Sequence, residues 1–96
     1  MNKDEILSIL RDFKQNFAEP YGILALGLFG SIARGQSREN SDVDICIKTV
    51  TADPFVLVHI KEDIERRVHR RVDIVRMREK MNPYLKERIE KDGIYV

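Results

Sequence analysis

The sequence predicts a small α/β (α+β) domain, a single mixed sheet with helices packed against it, on three observations. Three stretches carry apolar residues at helical spacing, and three shorter runs are rich in aliphatic and β-branched residues without it. The two kinds alternate along the chain with short connections, and neither an internal repeat nor a linker interrupts them. A sheet buries its apolar surface only against another layer, so helices against one sheet are the economical arrangement.

Asn2 followed by Glu5 is a capping-box start, with Asn in place of Ser or Thr. Ile6, Leu10, Phe13 and Phe17 then form one stripe at i, i+4, i+7 and i+11, and Glu19-Pro20 with Gly22 ends the helix. Residues 23–29 are apolar without alternation, as expected of a strand covered on both faces. Gly30-Ser31 breaks that strand, residues 31–34 suit one helical turn, and residues 35–41 are a polar loop. Residues 42–50 return to strand character through Val43, Ile45 and Ile47. Asp53-Pro54 is a cap followed by proline at the first helical position, opening a helix whose stripe is Val56, Ile60, Ile64 and Val68. Residues 71–75 make a short β-branched strand. Asn82-Pro83 repeats the cap, Leu85 and Ile89 face inward, Gly93 suits a C-terminal cap, and residues 94–96 add a last strand.

With 96 residues, one domain over residues 1–96 is expected. Hydrophobic residues at 43% and charged residues at 34% exclude a disordered chain. A net charge of +1 excludes no partner class, so local clusters matter more than the sum. The single cysteine, Cys46, rules out an internal disulfide and reads as a small buried hydrophobe. The charged start at Met1 to Glu5 does not resemble a signal peptide, and no run approaches the ~20 apolar residues of a membrane helix. A cytoplasmic location without membrane contact is the expectation.

Chemistry concentrates in three aspartates. Aspartate is disfavoured in strands, yet Asp42 and Asp44 open an apolar one and Asp73 stands between Val72 and Ile74. Side chains two apart share a face, which sets the first two carboxylates about 6–7 Å apart. At an effective dielectric of 20 their repulsion is roughly 2.5 kcal/mol, a large share of a small domain's stability unless a cation or water relieves it. If the two strands are neighbours, three hard oxygen donors converge as Mg²⁺ prefers. Taken singly, each has a plainer reading: Asp42 as a turn residue, Asp73 as an ion-pair partner of Arg71 or Arg76. Gly30 to Gly35, directly after a strand, is suited to phosphate through backbone N–H groups and the Ser31 hydroxyl. It lacks the spacing and lysine of a P-loop, and by itself it reads first as an ordinary glycine turn with a capping serine.

Gly30-Ser31, Ala33-Arg34-Gly35, Ser41-Asp42-Val43-Asp44 and Val72-Asp73-Ile74 together resemble the nucleotidyltransferase superfamily that includes DNA polymerase beta. The similarity is to its minimal members, the MntA-type antitoxins of HEPN/MNT pairs, and it spans nearly the whole chain. The resemblance implies the nucleotidyltransferase fold, with Asp42 and Asp44 ligating two Mg²⁺ ions and Asp73 completing the site and helping to deprotonate the acceptor. It places Gly30 and Ser31 on the β- and γ-phosphates of a nucleoside triphosphate, with Ser41 and Arg34 in the nucleotide site; Arg34 either touches phosphate or braces the acidic cluster. The implied reaction transfers AMP from ATP to a tyrosine of a partner HEPN-type RNase toxin. Two alternatives remain: transfer to a small molecule such as an aminoglycoside, and a non-catalytic antitoxin acting by occlusion. The basic run from Arg66 to Arg71 reads first as a solvated helix end favoured by the helix dipole. It has no interleaved aromatics, so direct nucleic-acid binding is not expected. His59 and His69 show no metal-ligand spacing, and nothing ranks Tyr21, Tyr84 and Tyr95.

Overall fold

The computed structural model describes residues 1–36 and 40–96; Ser37, Arg38 and Glu39 of the expected polar loop lie outside the described residues. The first helix, α1 (Lys3–Tyr21), starts on the expected capping box: Glu5 N donates to Asn2 Oδ1 at 2.8 Å and Asn2 N to Glu5 Oε1 at 3.4 Å. It runs through Pro20, which was expected to help end it, and closes at the expected Gly22 with φ 64°. Pro20 forfeits the hydrogen bond that an N–H there would make one turn back, and the extra turn continues a ring stack. Phe13 and Phe17 have centroids 5.0 Å apart, Phe17 and Tyr21 5.9 Å.

The chain continues as β1 (Ile23–Phe29), α2 (Gly30–Ala33), β2 (Val43–Thr49), α3 (Pro54–Val68), β3 (Val72–Arg76), α4 (Pro83–Asp92) and β4 (Ile94–Tyr95). The sheet order is β3-β2-β1-β4, with β1 antiparallel to both β2 and β4 and β2 parallel to β3. This is the mixed sheet that the alternation of elements predicts. One face carries α1 and α3 over Leu26, Leu28, Val43, Ile45, Ile47 and Val72, with Ile6, Leu10, Phe13, Ile60, Ile64 and Val68 supplied by the helices. The opposite face is covered more sparingly by Ile89 of α4 against Phe29 and Cys46, flanked by Val75, Met77, Met81 and Leu85. Among the described residues no helix is long and apolar enough to cross a membrane.

One expectation needs correction. The first strand is not covered on both faces throughout, for Leu24 is 62% exposed. Its pairing with β2 slips between Ile23 and Ala25, making Leu24 the extra residue of a bulge that turns it outward while Ile23 stays buried. Leu24→Thr is therefore expected to shift stability by less than about 0.5 kcal/mol, as a urea midpoint would report; a core leucine would cost several times more. Gly93 is the C-terminal cap of α4 as expected, though not in the left-handed conformation: φ is −65° and ψ 133°, and its N–H donates to Ile89 O at 2.7 Å. Glycine is needed for space instead, because a Cβ would run into that carbonyl oxygen.

Candidate active site

The parallel register of β2 and β3 sets Asp44 directly opposite Asp73, and the antiparallel register of β1 sets Phe29 opposite Asp44. Asp42 precedes β2 by one residue. Strand alternation turns Asp44 and Cys46 away from the main core, towards the face that α4 half covers. Asp44 is half-buried and Asp73 exposed. None of the three aspartate side chains has a hydrogen bond or an ion-pair contact with another described residue.

The electrostatics follow from this placement. Asp44's carboxyl is raised above its ordinary value, first by burial and then by the charge of Asp73; Arg88 of α4 opposes the rise, Asp42 adds to it and Arg34 opposes it. Donor type, shared face and lack of side-chain partners among the described residues fit a hard divalent cation. The ligand cage itself is not closed: among the described residues no group of three acidic, histidine or cysteine side chains sits at metal-binding spacing.

Gly30 joins the glycine-serine turn to this acidic pair. Its φ is 79°, and a Cβ there would overlap Asp44 Oδ2 and lie 3.0 Å from Cγ. The backbone of the turn thus rests on the carboxylate. Buried Ile32 and Ala33 anchor the turn in the core. Its carbonyls are taken at the far end, with Arg34 N donating to Gly30 O, Gly35 N to Ile32 O and Gln36 N to Ser31 O at 3.1, 3.0 and 2.9 Å. The first N–H groups of a helix have no partner within it, and here they belong to the end beside Asp44. Ser31 and Ser41 are both half-buried, Ser41 just before Asp42.

Arg34 is engaged elsewhere. Its Nη1 donates to Asp92 Oδ2 of α4 at 2.8 Å and its Nε to Gln36 Oε1 at 3.2 Å. The basic run divides in two. Arg67 is built into the packing, stacked 5.4 Å and 5.2 Å over Phe13 and Phe17 and paired with Asp63 at 3.2 Å. His69 takes the left-handed cap of α3 with φ 54°. His69, Arg70 and Arg71 share a small pocket with Asn40, Ser41 and Asp42. Cys46 is buried, and burial pushes its thiol up, consistent with a packing role. Sequence reasoning missed Arg88, because nothing local distinguishes it from the other charges of α4.

A sheet that presents paired acidic groups beside a glycine-serine turn defines a nucleotidyltransferase site. The chain belongs to the polymerase beta nucleotidyltransferase family, whose model matches residues 11–96, and it is a minimal, MntA-type member. It is 36% identical over 95 residues to a Methanocaldococcus jannaschii protein provisionally named a protein adenylyltransferase, covering 96% of this chain and 95% of the relative. It is 31% identical over 94 residues to protein adenylyltransferase MntA of Thermococcus cleftensis, covering 97% and 94%. Among solved structures, one described as a minimal nucleotidyltransferase superposes with a TM-score of 0.78 at 27% identity, covering 98% of this chain and 95% of that one. The same fold occurs in the MNT antitoxin complexed with a tri-AMPylated HEPN toxin of Shewanella oneidensis (TM-score 0.61, 20% identity, 98% and 67% covered).

Proposed function

We propose that this nucleotidyltransferase uses Mg²⁺ and ATP to place AMP on a tyrosine of a HEPN-type RNase toxin, and so acts as its antitoxin. The observation that carries the reading is the Asp44–Asp73 pair set against the Gly30 backbone, in a chain whose relatives are named protein adenylyltransferases. The HEPN partner follows the resemblance and the complexes in which this fold is found.

Asp42, Asp44 and Asp73 are the residues that would hold Mg²⁺. Bound there, the ion supplies positive charge for the α-phosphate and the departing pyrophosphate. Gly30 and Ser31 hold the β- and γ-phosphates, with Ser41 at the rim of the nucleotide site. Asp73, the more exposed of the facing pair, accepts the proton of the acceptor hydroxyl. The acceptor oxygen bonds to the α-phosphorus as the α–β bridging bond breaks, and pyrophosphate leaves. Positioning and charge neutralisation supply most of the acceleration in such transfers. Of the two roles open to Arg34, its pair with Asp92 favours bracing.

Cell extract, Mg²⁺ and ATP labelled at the α- or the γ-phosphate test this reading, with Asp42→Asn/Asp44→Asn protein as control. Only the α-label is expected on a discrete protein, and only with the unaltered chain. Label from the γ-position would mean a different reaction, and no label on protein would favour a small-molecule acceptor or occlusion.

A further inference from the structure

The triphosphate of ATP carries three to four negative charges, and a site that holds it needs a cation beyond the metal. Sequence spacing points to Arg34, but that guanidinium is bound to Asp92 at 2.8 Å and to Gln36 at 3.2 Å. The same contact locates a better candidate. Asp92 fixes the C-terminal end of α4 against the end of α2, and Arg88 lies four residues earlier on α4. Residues four apart share a helix face, about one 5.4 Å turn from each other. Arg88 therefore faces the same gap between α4 and α2, beside Ile89, which packs on Phe29 and Cys46 of the sheet. From there its charge reaches Asp44 and outweighs the effect of Arg34 on that carboxylate. The Arg88 side chain is exposed, makes no hydrogen bond or ion pair with another described residue, and borders a surface hollow of 330 Å³ lined by Tyr84, Glu87 and Lys91 of the same helix.

We propose that Arg88, one turn before the Asp92 that ties α4 to α2, is the guanidinium that binds the β- and γ-phosphates of the nucleoside triphosphate. Without nucleotide it offsets the charge of the aspartates. When cations take over that neutralisation, the guanidinium turns to the polyphosphate, where its planar fork can donate two hydrogen bonds. This inference rests on the nucleotidyltransfer reading of the site and adds a residue from outside the motif.

Equilibrium binding of ATP and of AMP to the unaltered chain, Arg88→Gln and Arg88→Lys, with Mg²⁺ present, tests it. AMP lacks the two phosphates in question. Arg88→Gln is expected to weaken ATP about 10- to 100-fold while changing AMP less than about twofold, with Arg88→Lys in between. Its KM for ATP in the transfer assay should rise in parallel, while the thermal midpoint stays put because the side chain is exposed. Equal losses for ATP and AMP, or ATP binding unchanged in Arg88→Gln, would overturn the assignment while leaving the enzyme reading intact. An unaltered chain that bound no ATP would sink both.

Discussion

Asp44→Asn is expected to lower AMP transfer at least about 1000-fold, roughly 4 kcal/mol of barrier, while leaving the metal-free fold as stable as before or more so. The two effects have one cause. Asparagine keeps the shape of the side chain but removes the charge that a divalent cation needs, and with it the repulsion from Asp73 and Asp42. Because the folded-state value of Asp44 is raised, protonation favours the fold. Its stabilising contribution is fully present below the ordinary value of 3.8 and is lost as pH rises through the raised one. At neutral pH the ionised group is thus a cost, and the variant should lose the part of the acid-side pH dependence that begins near 3.8. Added Mg²⁺ should raise the melting temperature of the unaltered chain through linkage and move the variant little. A variant that melts lower without metal would make Asp44 a structural residue. If it silenced a partner toxin fully while transferring nothing, regulation would be by occlusion.

What the sequence disclosed depended on the range of the interaction involved. The capping box at Asn2, the cap-and-proline pairs at Asp53 and Asn82, and the stripes of α1 and α3 are local, and each appears where expected. The aspartates were legible for a related reason: a charge inside an apolar strand is an anomaly visible without knowing the partner strand. Their pairing across β2 and β3 needed only the inference that the two strands are neighbours. The bulge at Leu24 was hidden because a run of aliphatic residues reads the same in either register. Helix α1 continued through Pro20 because a ring stack offset a lost hydrogen bond, a balance set by tertiary packing. Arg34 met Asp92 across 58 residues of chain, and the charge of Arg88 on α4 acts on Asp44. Neither interaction leaves a periodicity or a motif, since a charged residue on an amphipathic helix fits a solvated face equally well.

Gly30→Ala is expected to reduce transfer about 100-fold or more and to destabilise the fold by about 1–3 kcal/mol, and Gly35→Ala separates the causes. Both glycines have positive φ, 79° and 73°, so either alanine meets a similar backbone penalty of about 1–2 kcal/mol. They differ in what the new methyl touches. At Gly35 no described atom lies within 4 Å of it, whereas at Gly30 it would overlap Asp44 Oδ2. Relief requires either the turn to lift away from β2 or the Asp44 side chain to rotate, and both separate the phosphate turn from the carboxylate. A misplacement of about 1 Å between reacting groups is enough for losses of that size. Gly35→Ala should therefore unfold at a lower temperature yet keep its turnover within a few fold at a permissive temperature. Gly30→Ala should lose turnover under conditions where circular dichroism shows it folded. Equal activity losses in the two variants would attribute the effect to backbone strain, and the close approach of Gly30 to Asp44 would then have no part in the chemistry.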